Sequence, residues 1–383
     1  MKRKRVIICP DSFKGSIDSI TASGEIAKGV KNVFPNADID LMPVGDGGEG
    51  TLEIWKSLRG WKSEKIACHD LRMRNTMTEV LVSDDFKEVY IESAKIVGLD
   101  LCKPDERDIM TSTTFGLGEV ISEMAERGAE KFFIGLGGSG TNDYGLGMLN
   151  RLGVRFRDKE GKVLEGLPLN LNKIAEIEVS EEFYKYKKLR FNILSDVSNG
   201  LYGPGGAAVV YGPQKGATKK DISFLEAGII RLVEIIEKNS LGSGEAFVPG
   251  VGAAGGLGYA FKTFLGGTFE SGITKVLNLY GFKEKVRDTF LIITGEGSID
   301  SQSLMGKATG EIMRLGKASG CCVAALAGRV GDKDRLMTAG FDEIIEISDP
   351  DLSPEQNMEQ EKAALNLFEK TEILCRKLRE ETD

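Results

Sequence analysis

Six short loops of the chain combine glycine with hydroxyl-bearing or charged side chains, and these are the residue types that phosphoryl transfer needs. Glycine lets backbone N–H groups approach phosphate oxygens, and a helix that follows such a loop adds partial positive charge. Lysines offset the charge of the phosphates, and carboxylates hold Mg²⁺. The loops are residues 11–15, 45–51, 135–143, 195–199, 211–216 and 294–300, the last followed by Gly306 and Lys307.

Most of these residues also have a structural interpretation. A glycine after a strand is commonly a turn residue, and Asp11 or Asp196 at a strand end is commonly a turn former or a helix cap. Asp46 and Glu49 are harder to explain in this way, because two acidic groups on one short loop repel each other unless a cation joins them. His69 is the single histidine, and its polar surroundings predict a surface position.

Two glycine patterns match the Gly-x-Gly-x-x-Gly fingerprint of dinucleotide binding. The first, at residues 135–140, follows a predicted strand and is expected to open a helix, whereas the second, at residues 250–255, has no strand before it. In a chain with 48 glycines such matches arise easily by chance. The sequence has no Gly-x-x-x-x-Gly-Lys-Ser/Thr phosphate loop and no protein-kinase signature, which argues against both of those enzyme classes.

The predicted elements at the two ends of the chain alternate as they do in a parallel sheet, whose strand ends bring such loops together. Near the N-terminus, strands at residues 6–9 and 39–44 flank a helix with an apolar stripe that includes Ile26 and Val30, and a helix starts at Thr51. Toward the C-terminus the predicted strands are 291–293, 323–326 and 344–347, with a helix near Gly310 and a final amphipathic helix that begins at the capping box 353–356.

The middle of the chain has a different pattern, typical of a mixed α/β insertion. Antiparallel hairpins are predicted at residues 79–91 and 154–163, the second with a turn at 158–161. The other predicted elements are a helix after Thr114, a strand at 132–134, and strands or helices near 191–194, 222–236 and 255–264.

Composition limits the class of protein. A chain of 383 residues is long enough for two domains. Its 50 Lys and Arg against 58 Asp and Glu disfavour a protein that binds nucleic acid or anionic membranes. The six cysteines lack zinc-like spacing and predict reduced thiols in a cytoplasmic protein. The basic start is followed by too short an apolar run for a signal peptide, and no apolar run is long enough to span a membrane.

Nine motifs, taken together and in this order, resemble those of the bacterial type-one glycerate kinases. They lie at residues 11–15 (DSFKG), 44–51 (VGDGGEGT), 111–121 (TSTTFGLGEVI), 135–145 (GLGGSGTNDYG), 196–208 (DVSNGLYGPGGAA), 211–217 (YGPQKGA), 250–258 (GVGAAGGLG), 294–308 (TGEGSIDSQSLMGKA) and 325–328 (ALAG). The resemblance extends from Val6 to about Asp349. Two departures occur: residues 199–201 read Asn-Gly-Leu where the family often has Asn-Pro-Leu, and Ser298 stands where the family commonly has an arginine, which removes a possible anion ligand.

This resemblance implies both a reaction and a fold. The implied reaction is ATP-dependent phosphorylation of D-glycerate, usually at the 2-hydroxyl, to give 2-phosphoglycerate, with ATP as co-substrate and Mg²⁺ as the metal. The implied fold class is α/β with two domains: a Rossmann-like parallel-sheet domain, residues 1–69 plus 286–383, interrupted by a mixed α/β domain, residues 70–285. Both substrates are expected in the cleft between the domains.

With the resemblance, the loop residues receive expected roles. Asp196 is the expected acceptor of the hydroxyl proton, and Lys14 and Lys307 are expected to assist transfer. The expected metal ligands are Asp46, Glu49 and Glu296. The expected ligands of substrate or phosphate are Ser12, Gly137, Gly138, Ser139, Thr141, Asn142, Asn199, Lys215, Gly295 and Gly297.

Two alternative functions stay open on the sequence. A nicotinamide-dependent dehydrogenase would use the fingerprint at residues 135–140, although an evident catalytic base is missing. A non-catalytic sensor of hydroxy acids would keep the same loops without turning over ATP. Lysines and acidic residues occur together in the loops, which favours the enzyme. The expected partners are small molecules, ATP and D-glycerate, rather than nucleic acid or membrane, and the expected state is a monomer or a homodimer.

Overall fold

The computed structural model of the chain describes residues 4–45, 50–242, 245–304 and 306–380. The chain divides into two compact units. The first, here called the discontinuous unit, comprises Met1–Asp46 and Gly272–Asp383. The second, the central unit, comprises Gly47–Ser271.

The strands and helices are numbered along the chain. The strands are β1 (Arg5–Pro10), β2 (Asp38–Leu41), β3 (Lys62–His69), β4 (Asn75–Val82), β5 (Glu88–Glu92), β6 (Lys131–Gly135), β7 (Val154–Arg157), β8 (Val163–Leu164), β9 (Glu176–Val179), β10 (Arg190–Leu194), β11 (Thr268–Glu270), β12 (Leu291–Ile299), β13 (Cys322–Val330) and β14 (Glu343–Glu346). The helices are α1 (Ser19–Val33), α2 (Thr51–Arg59), α3 (Ala94–Val97), α4 (Phe115–Glu126), α5 (Leu146–Leu152), α6 (Ala207–Tyr211), α7 (Lys219–Lys238), α8 (Ala253–Leu265), α9 (Gly272–Tyr280), α10 (Phe282–Lys285), α11 (Ala308–Ala318), α12 (Lys333–Ala339), α13 (Pro354–Met358) and α14 (Gln360–Glu380).

The sheet of the discontinuous unit is parallel, with the order β14-β13-β12-β1-β2. Counted along the chain this is the doubly wound order 2-1-3-4-5, which reverses direction between β1 and β12. Residues 6–10 of β1 are buried without interruption, as expected for a parallel strand with helices on both faces. α1 and α14 pack on one face, where Ile26 and Leu367 join the core around Val6 and Ile8. The expected ligand position in such a sheet is the crevice at the carboxyl ends of β1 and β12.

The C-terminal helix differs from its prediction. The capping box is present, because the Ser353 hydroxyl accepts from Gln356 N and the Gln356 side chain accepts from Ser353 N. The helix that it starts, α13, ends at Met358, and Glu359 takes extended ψ (129°) before α14 begins. One amphipathic pattern therefore covers two helices that meet at a corner, and the sequence prediction of a single helix is wrong.

The central unit contains a mixed sheet with the order β11-β10-β6-β5-β4-β3. β5, β6, β10 and β11 run parallel to one another, whereas β4 is antiparallel to both β3 and β5. The predicted hairpin at residues 79–91 is the β4–β5 pair, and that at residues 154–163 is the β7–β8 pair, to which β9 adds a further antiparallel strand. The α/β class with a parallel and a mixed sheet is confirmed.

The boundaries of the compact units differ from the domain boundaries predicted at residues 69 and 285. β3 pairs with β4 along its whole length, so it lies in the sheet of the central unit, and α2 packs on β4 and β5. α9 and α10 conversely fall within the discontinuous unit. The sequence pattern changes near residue 63 because antiparallel pairing starts with β3. The central unit itself begins earlier in the chain, at residue 47.

Helix α8 has a left-handed break in its first turn. Ala254, Gly255 and Gly256 have φ values of 53°, 66° and 82°. At Gly255 a Cβ atom would lie 2.1 Å from the backbone oxygen of Thr141, so the backbone of α8 rests directly on the loop that follows β6. The second glycine pattern, at residues 250–255, therefore has a packing function.

Three smaller expectations can be compared with the structure. His69 is half-buried rather than at the surface, and its Nδ1 lies 3.0 Å from the Glu119 carboxylate. All six cysteines are free thiols, and five of them are buried. Among the described helices, none is both long enough and apolar enough to cross a membrane.

Candidate active site

The discontinuous unit contains a cavity of about 450 Å³ at the carboxyl edge of its parallel sheet. Its walls include the loop after β1, the last residues of β12 and β13, and Ile347 and Ser348 after β14. This is the topological switch point at which an open α/β sheet binds ligands. The volume falls within the range of small-molecule sites.

The loop after β1 supplies one wall of the cavity. Asp11 and Ser12 are half-buried there, and Lys14 is exposed at the rim. The Ser12 N–H donates to Asp11 Oδ1 (2.7 Å), and the Asp11 N–H donates to the backbone oxygen of Gly295 on β12 (2.8 Å). These bonds hold the loop against β12. Ser12 and Lys14, which the sequence predicts as ligands of an anion, both line the cavity.

β12 and β13 extend past β1 and form a second wall. At Gly328 a Cβ atom would lie 2.6 Å from the backbone oxygen of Gly297, so glycine permits the close approach of these strands. Gly295 and Gly297 alternate with Glu296, whose side chain lines the cavity. The Glu296 carboxylate accepts from Thr309 Oγ1 (2.5 Å) and lies 3.9 Å from Lys307 Nζ. The structure thus brings together five predicted residues, Ser12, Lys14, Glu296, Gly297 and Lys307.

A third wall comes from the corner between α13 and α14, which the sequence analysis did not include in the site. Asn357 fixes this corner, because its amide donates to the Asp349 oxygen (3.0 Å) and accepts from the Asp349 N–H (2.7 Å). Met358 and Asn366 also line the cavity. Their contribution depends on the corner between α13 and α14, for which the sequence offers no local signal.

In the central unit, the predicted residues lie at the carboxyl edge of the parallel strands. Gly137, Gly138, Ser139 and Thr141 belong to the loop that follows β6. This loop is anchored to the segment after β5, because the Leu99 N–H donates to the Gly138 oxygen (2.9 Å) and the Gly140 N–H donates to the Val97 oxygen (2.7 Å). Ser139 is buried, as are Thr141 and Asn142.

Lys215 connects a distant segment to this loop. Its side chain is only 2% exposed, and Nζ donates to the Thr141 backbone oxygen (2.6 Å) and to Ser139 Oγ (3.1 Å). Burial lowers the pKa of the Lys215 ammonium to about 7, although the negative charge of Asp143 opposes the shift. Lys215 therefore holds the loop in shape.

Asp143 organises the same region, although the sequence analysis did not select it. Its buried carboxylate accepts from Thr114 N (2.7 Å), Thr114 Oγ1 (2.8 Å), Gly145 N (3.1 Å) and Gly147 N (3.1 Å). Burial raises the pKa of Asp143, and these hydrogen bonds oppose the increase. Because each of these groups donates a hydrogen bond, as does Thr113 Oγ1 at 3.5 Å, the contacts favour the ionised carboxylate. Asp143 directly follows Asn142 in the motif at residues 135–145, and this position is the sequence signal that could have identified it.

Two buried side chains next to Lys215 retain unused hydrogen-bonding capacity. Thr141 Oγ1 has no hydrogen-bond partner among the residues that the structure describes, and the Asn142 amide interacts there only with the neighbouring Tyr144 hydroxyl; both residues are fully buried. Buried polar atoms without partners are costly, and at a functional site they commonly await a ligand. These groups suit a small polar molecule with hydroxyl or carboxylate oxygens.

The loop after β10 contains the two other predicted residues of the central unit. Asp196 is half-buried two positions after the end of β10. The amide of Asn199 is used within the protein, since it donates to the Gly205 oxygen (3.0 Å) and accepts from the Tyr211 hydroxyl (2.5 Å). Asn199 therefore braces its own loop, and a role as direct substrate ligand would require one of these bonds to break.

Of the three predicted metal ligands, only Glu296 lies within the described residues. Asp46 and Glu49 lie outside the described residues. Glu296 shares its cavity with the carboxylate of Asp11. Within the described part of the chain, no three His, Cys, Asp or Glu side chains gather as a metal cluster. Mg²⁺ in kinase sites is commonly held by one or two carboxylates together with substrate phosphates, so the donor chemistry of Asp11 and Glu296 fits this ion.

The dinucleotide interpretation of residues 135–140 does not fit the structure. The pattern does follow a strand, β6, but the next helix, α5, begins only at Leu146. A dinucleotide fingerprint needs the helix to start within the glycine loop, so that its N-terminus reaches the pyrophosphate. The expectation that this loop opens a helix is therefore wrong.

The doubly wound sheet has a cavity at its switch point, and the central unit has a buried lysine beside a glycine-rich loop. Both features are typical of α/β enzymes that act on small molecules. The profile of the glycerate kinase family matches residues 6–378. A glycerate kinase of Halalkalibacterium halodurans is 36% identical over 370 residues, which are 94% of this chain and 97% of that protein. The glycerate 2-kinase of Escherichia coli is 35% identical over 328 residues, 86% of each chain.

A solved structure agrees with these relatives. The crystal structure of a protein described as putative glycerate kinase 2 from Salmonella typhimurium superposes with a TM-score of 0.82 at 30% identity, and the match covers 100% of both chains. The chain therefore belongs to the glycerate kinase family. It is thus a small-molecule kinase with an alcohol group as phosphate acceptor, as the nine motifs predict.

Proposed function

We propose that the protein transfers the γ-phosphate of ATP to the 2-hydroxyl of D-glycerate and releases 2-phosphoglycerate and ADP. The observation that carries this proposal is the family match over residues 6–378, together with the 35% identity to a protein named glycerate 2-kinase. The geometry supports it, because the motifs at residues 11–15, 135–145, 196–208 and 294–308 include or follow the carboxyl ends of the parallel strands β1, β6, β10 and β12.

In the central unit, we assign the buried polar groups to recognition and positioning. Lys215 holds Ser139 and the Thr141 carbonyl in place, which keeps the Thr141 hydroxyl and the Asn142 amide available for ligand oxygens. Asp196, at the end of β10, is proposed to orient the acceptor hydroxyl and receive its proton. An aspartate in this role suffices for a kinase, because deprotonation of the hydroxyl is a modest part of a loose phosphoryl-transfer transition state.

In the discontinuous unit, we assign the cavity residues to charge stabilisation. The Ser12 hydroxyl, Lys14 and Lys307 line one space at the strand ends, where backbone N–H groups and ammonium groups attract phosphate oxygens. Glu296 and Asp11 are the carboxylates that would hold Mg²⁺ here. Asp46 and Glu49 stay proposed metal ligands on the sequence alone. When bound, the ion would neutralise phosphate charge that develops during transfer. The six free thiols support action in the reducing cytoplasm.

The alternatives from the sequence gain no support. A dehydrogenase would need the fingerprint helix that the structure lacks after residue 140, and each named relative cited above is a kinase. A non-catalytic sensor has no observation in its favour.

The experiment is incubation with Mg²⁺, ATP and D-glycerate, followed by phosphorus NMR of the products. We expect stoichiometric ADP and 2-phosphoglycerate, with no ADP release when D-glycerate is omitted or a chelator is added. Formation of 3-phosphoglycerate would refute the proposed position of transfer. ADP release that does not depend on any three-carbon hydroxy acid would refute the proposed substrate.

A further inference from the structure

Arg329 is a cation in the cavity of the discontinuous unit to which the sequence analysis assigns no role. It lies one residue before the end of β13, is exposed to solvent, and lines the cavity. In the part of the chain that the structure describes, its guanidinium forms no hydrogen bond or ion pair. Lys307 differs, because Glu296 lies 3.9 Å from its ammonium group. Arg329 is therefore available to an anion that enters the cavity.

The strand register determines where Arg329 points. Arg329 on β13 is the direct partner of Ser298 on β12 in a parallel pair. In-register neighbours project to the same face of a sheet from strands that are about 4.8 Å apart. Glu296, two residues before Ser298, shares this face, and all three side chains line the cavity. Ser298 stands where the family commonly has an arginine, and Arg329 therefore places a cation beside that position from the neighbouring strand.

The rest of the cavity indicates what kind of anion this is. Phe13, Ile347 and Ala363 give the cavity an apolar part, and Asn366 adds an amide. A volume of about 450 Å³ is large for a three-carbon acid and suits a nucleoside. A cavity that is lined by both apolar side chains and cations matches a molecule that has an aromatic base and a charged phosphate chain.

We propose that this cavity binds the nucleotide and that Arg329, which lies on β13 beside Ser298, binds the phosphate chain of the nucleotide. The inference rests on the proposed kinase function, which it extends by assigning the nucleotide to the discontinuous unit. An arginine suits the task, because its planar fork can donate two hydrogen bonds to one phosphate group.

The test measures binding of ADP and of adenosine by calorimetry, together with the KM values for ATP and D-glycerate. Arg329→Ser should weaken ADP binding by about 10- to 100-fold, the usual range for a charged hydrogen bond, and raise the KM for ATP in parallel. Adenosine binding and the KM for D-glycerate should stay unchanged. The double variant Ser298→Arg/Arg329→Ser should recover most of the ADP affinity, because it places an arginine on β12 directly beside the position that lost one on β13. Arg335→Ser, at an exposed arginine of α12, is the matched control and should behave as the unmodified protein.

Two results would overturn the proposal. If Arg329→Ser raises the KM for D-glycerate and leaves ADP binding intact, the arginine binds the carboxylate of the acid instead. Equal loss of ADP and adenosine binding would show that the substitution disturbs the cavity as a whole. The two hypotheses fail separately: Arg329-dependent ADP binding without phosphorylation of glycerate would refute only the proposed function. Phosphorylation of glycerate with an ATP KM that ignores Arg329 would refute only the nucleotide site.

Discussion

Replacement of Lys215 by methionine measures the energetic cost of its buried charge. The lysine is 2% exposed, and burial lowers its pKa from 10.5 to about 7. Between these two values the unfolded chain binds a proton that the folded chain does not bind. The free energy of unfolding therefore rises with pH across this interval, and Lys215 contributes no pH dependence below or above it.

The size of the effect follows from the two pKa values. From pH 7 to pH 9 the Lys215 contribution to the free energy of unfolding should increase by about 2 kcal/mol. Methionine cannot titrate, so the difference between the unmodified protein and Lys215→Met should grow by that amount, in favour of the unmodified protein. The substitution also leaves the Ser139 hydroxyl and the Thr141 carbonyl without their donor. That loss, about 1–3 kcal/mol for each group, is the same at every pH and does not affect the comparison.

The assay is urea unfolding at pH 7, 8 and 9, followed by tryptophan fluorescence. Both tryptophans, Trp55 and Trp61, lie in the central unit and contact the buried ring of Phe133, so they report on the unit that contains Lys215. Lys219→Met, at an exposed lysine four residues later, is the matched control. A difference between Lys215→Met and the unmodified protein that stays constant from pH 7 to pH 9 would refute the reasoning, because Lys215 would then keep its proton throughout.

Two further predictions concern Asp143 and the cysteines. Asp143→Asn should destabilise the central unit by about 2–4 kcal/mol. The amide of asparagine would place its N–H₂ group against an N–H or O–H group that now donates a hydrogen bond to the carboxylate. The substitution should also move the pH-dependent interval of Lys215 to lower pH, since the charge that opposes deprotonation is removed; an unchanged interval in repeated urea titrations would contradict the coupling. Denatured protein should titrate six thiols with or without prior reduction, and fewer thiols before reduction would contradict the free-cysteine arrangement.

The site residues that sequence analysis could predict are those whose signal is local. Ser12, Lys14, Ser139 and Asp196 each follow the end of a short apolar run, and a parallel sheet gathers such ends at one edge. Their positions follow from strand ends and glycines, which the sequence displays within a few residues. The same local signals predicted β1, α1 and the two hairpins.

The remaining features depend on contacts between distant segments. Lys215 reaches Thr141 across 74 residues, and nothing near position 215 in the sequence indicates that its ammonium is buried. Arg329 lies beside Ser298 only because β12 and β13 pair in one register. The sequences of the two strands cannot reveal this register, since both are apolar runs that end in a glycine, a polar residue and a branched apolar residue. β3 is a further example, because its partner strand β4, rather than its own sequence pattern, determines the sheet to which it belongs.

The glycine pattern at residues 250–255 allows a direct test of whether a glycine is needed for its local backbone conformation or for contact with a distant segment. Gly255 and Gly266 both lie in or at the end of α8 with nearly equal φ values, 66° and 65°. Alanine at either position should cost roughly 1–2 kcal/mol for the left-handed backbone. At Gly266 no atom lies within 4 Å of the added Cβ, whereas at Gly255 the Cβ would lie 2.1 Å from the Thr141 oxygen. Gly255→Ala should therefore cost about 1–3 kcal/mol more in urea unfolding than Gly266→Ala. It should also lower kcat, because the loop that moves contains Thr141 and Asn142. Equal stability and equal kcat in the two variants would show that α8 does not support the substrate loop.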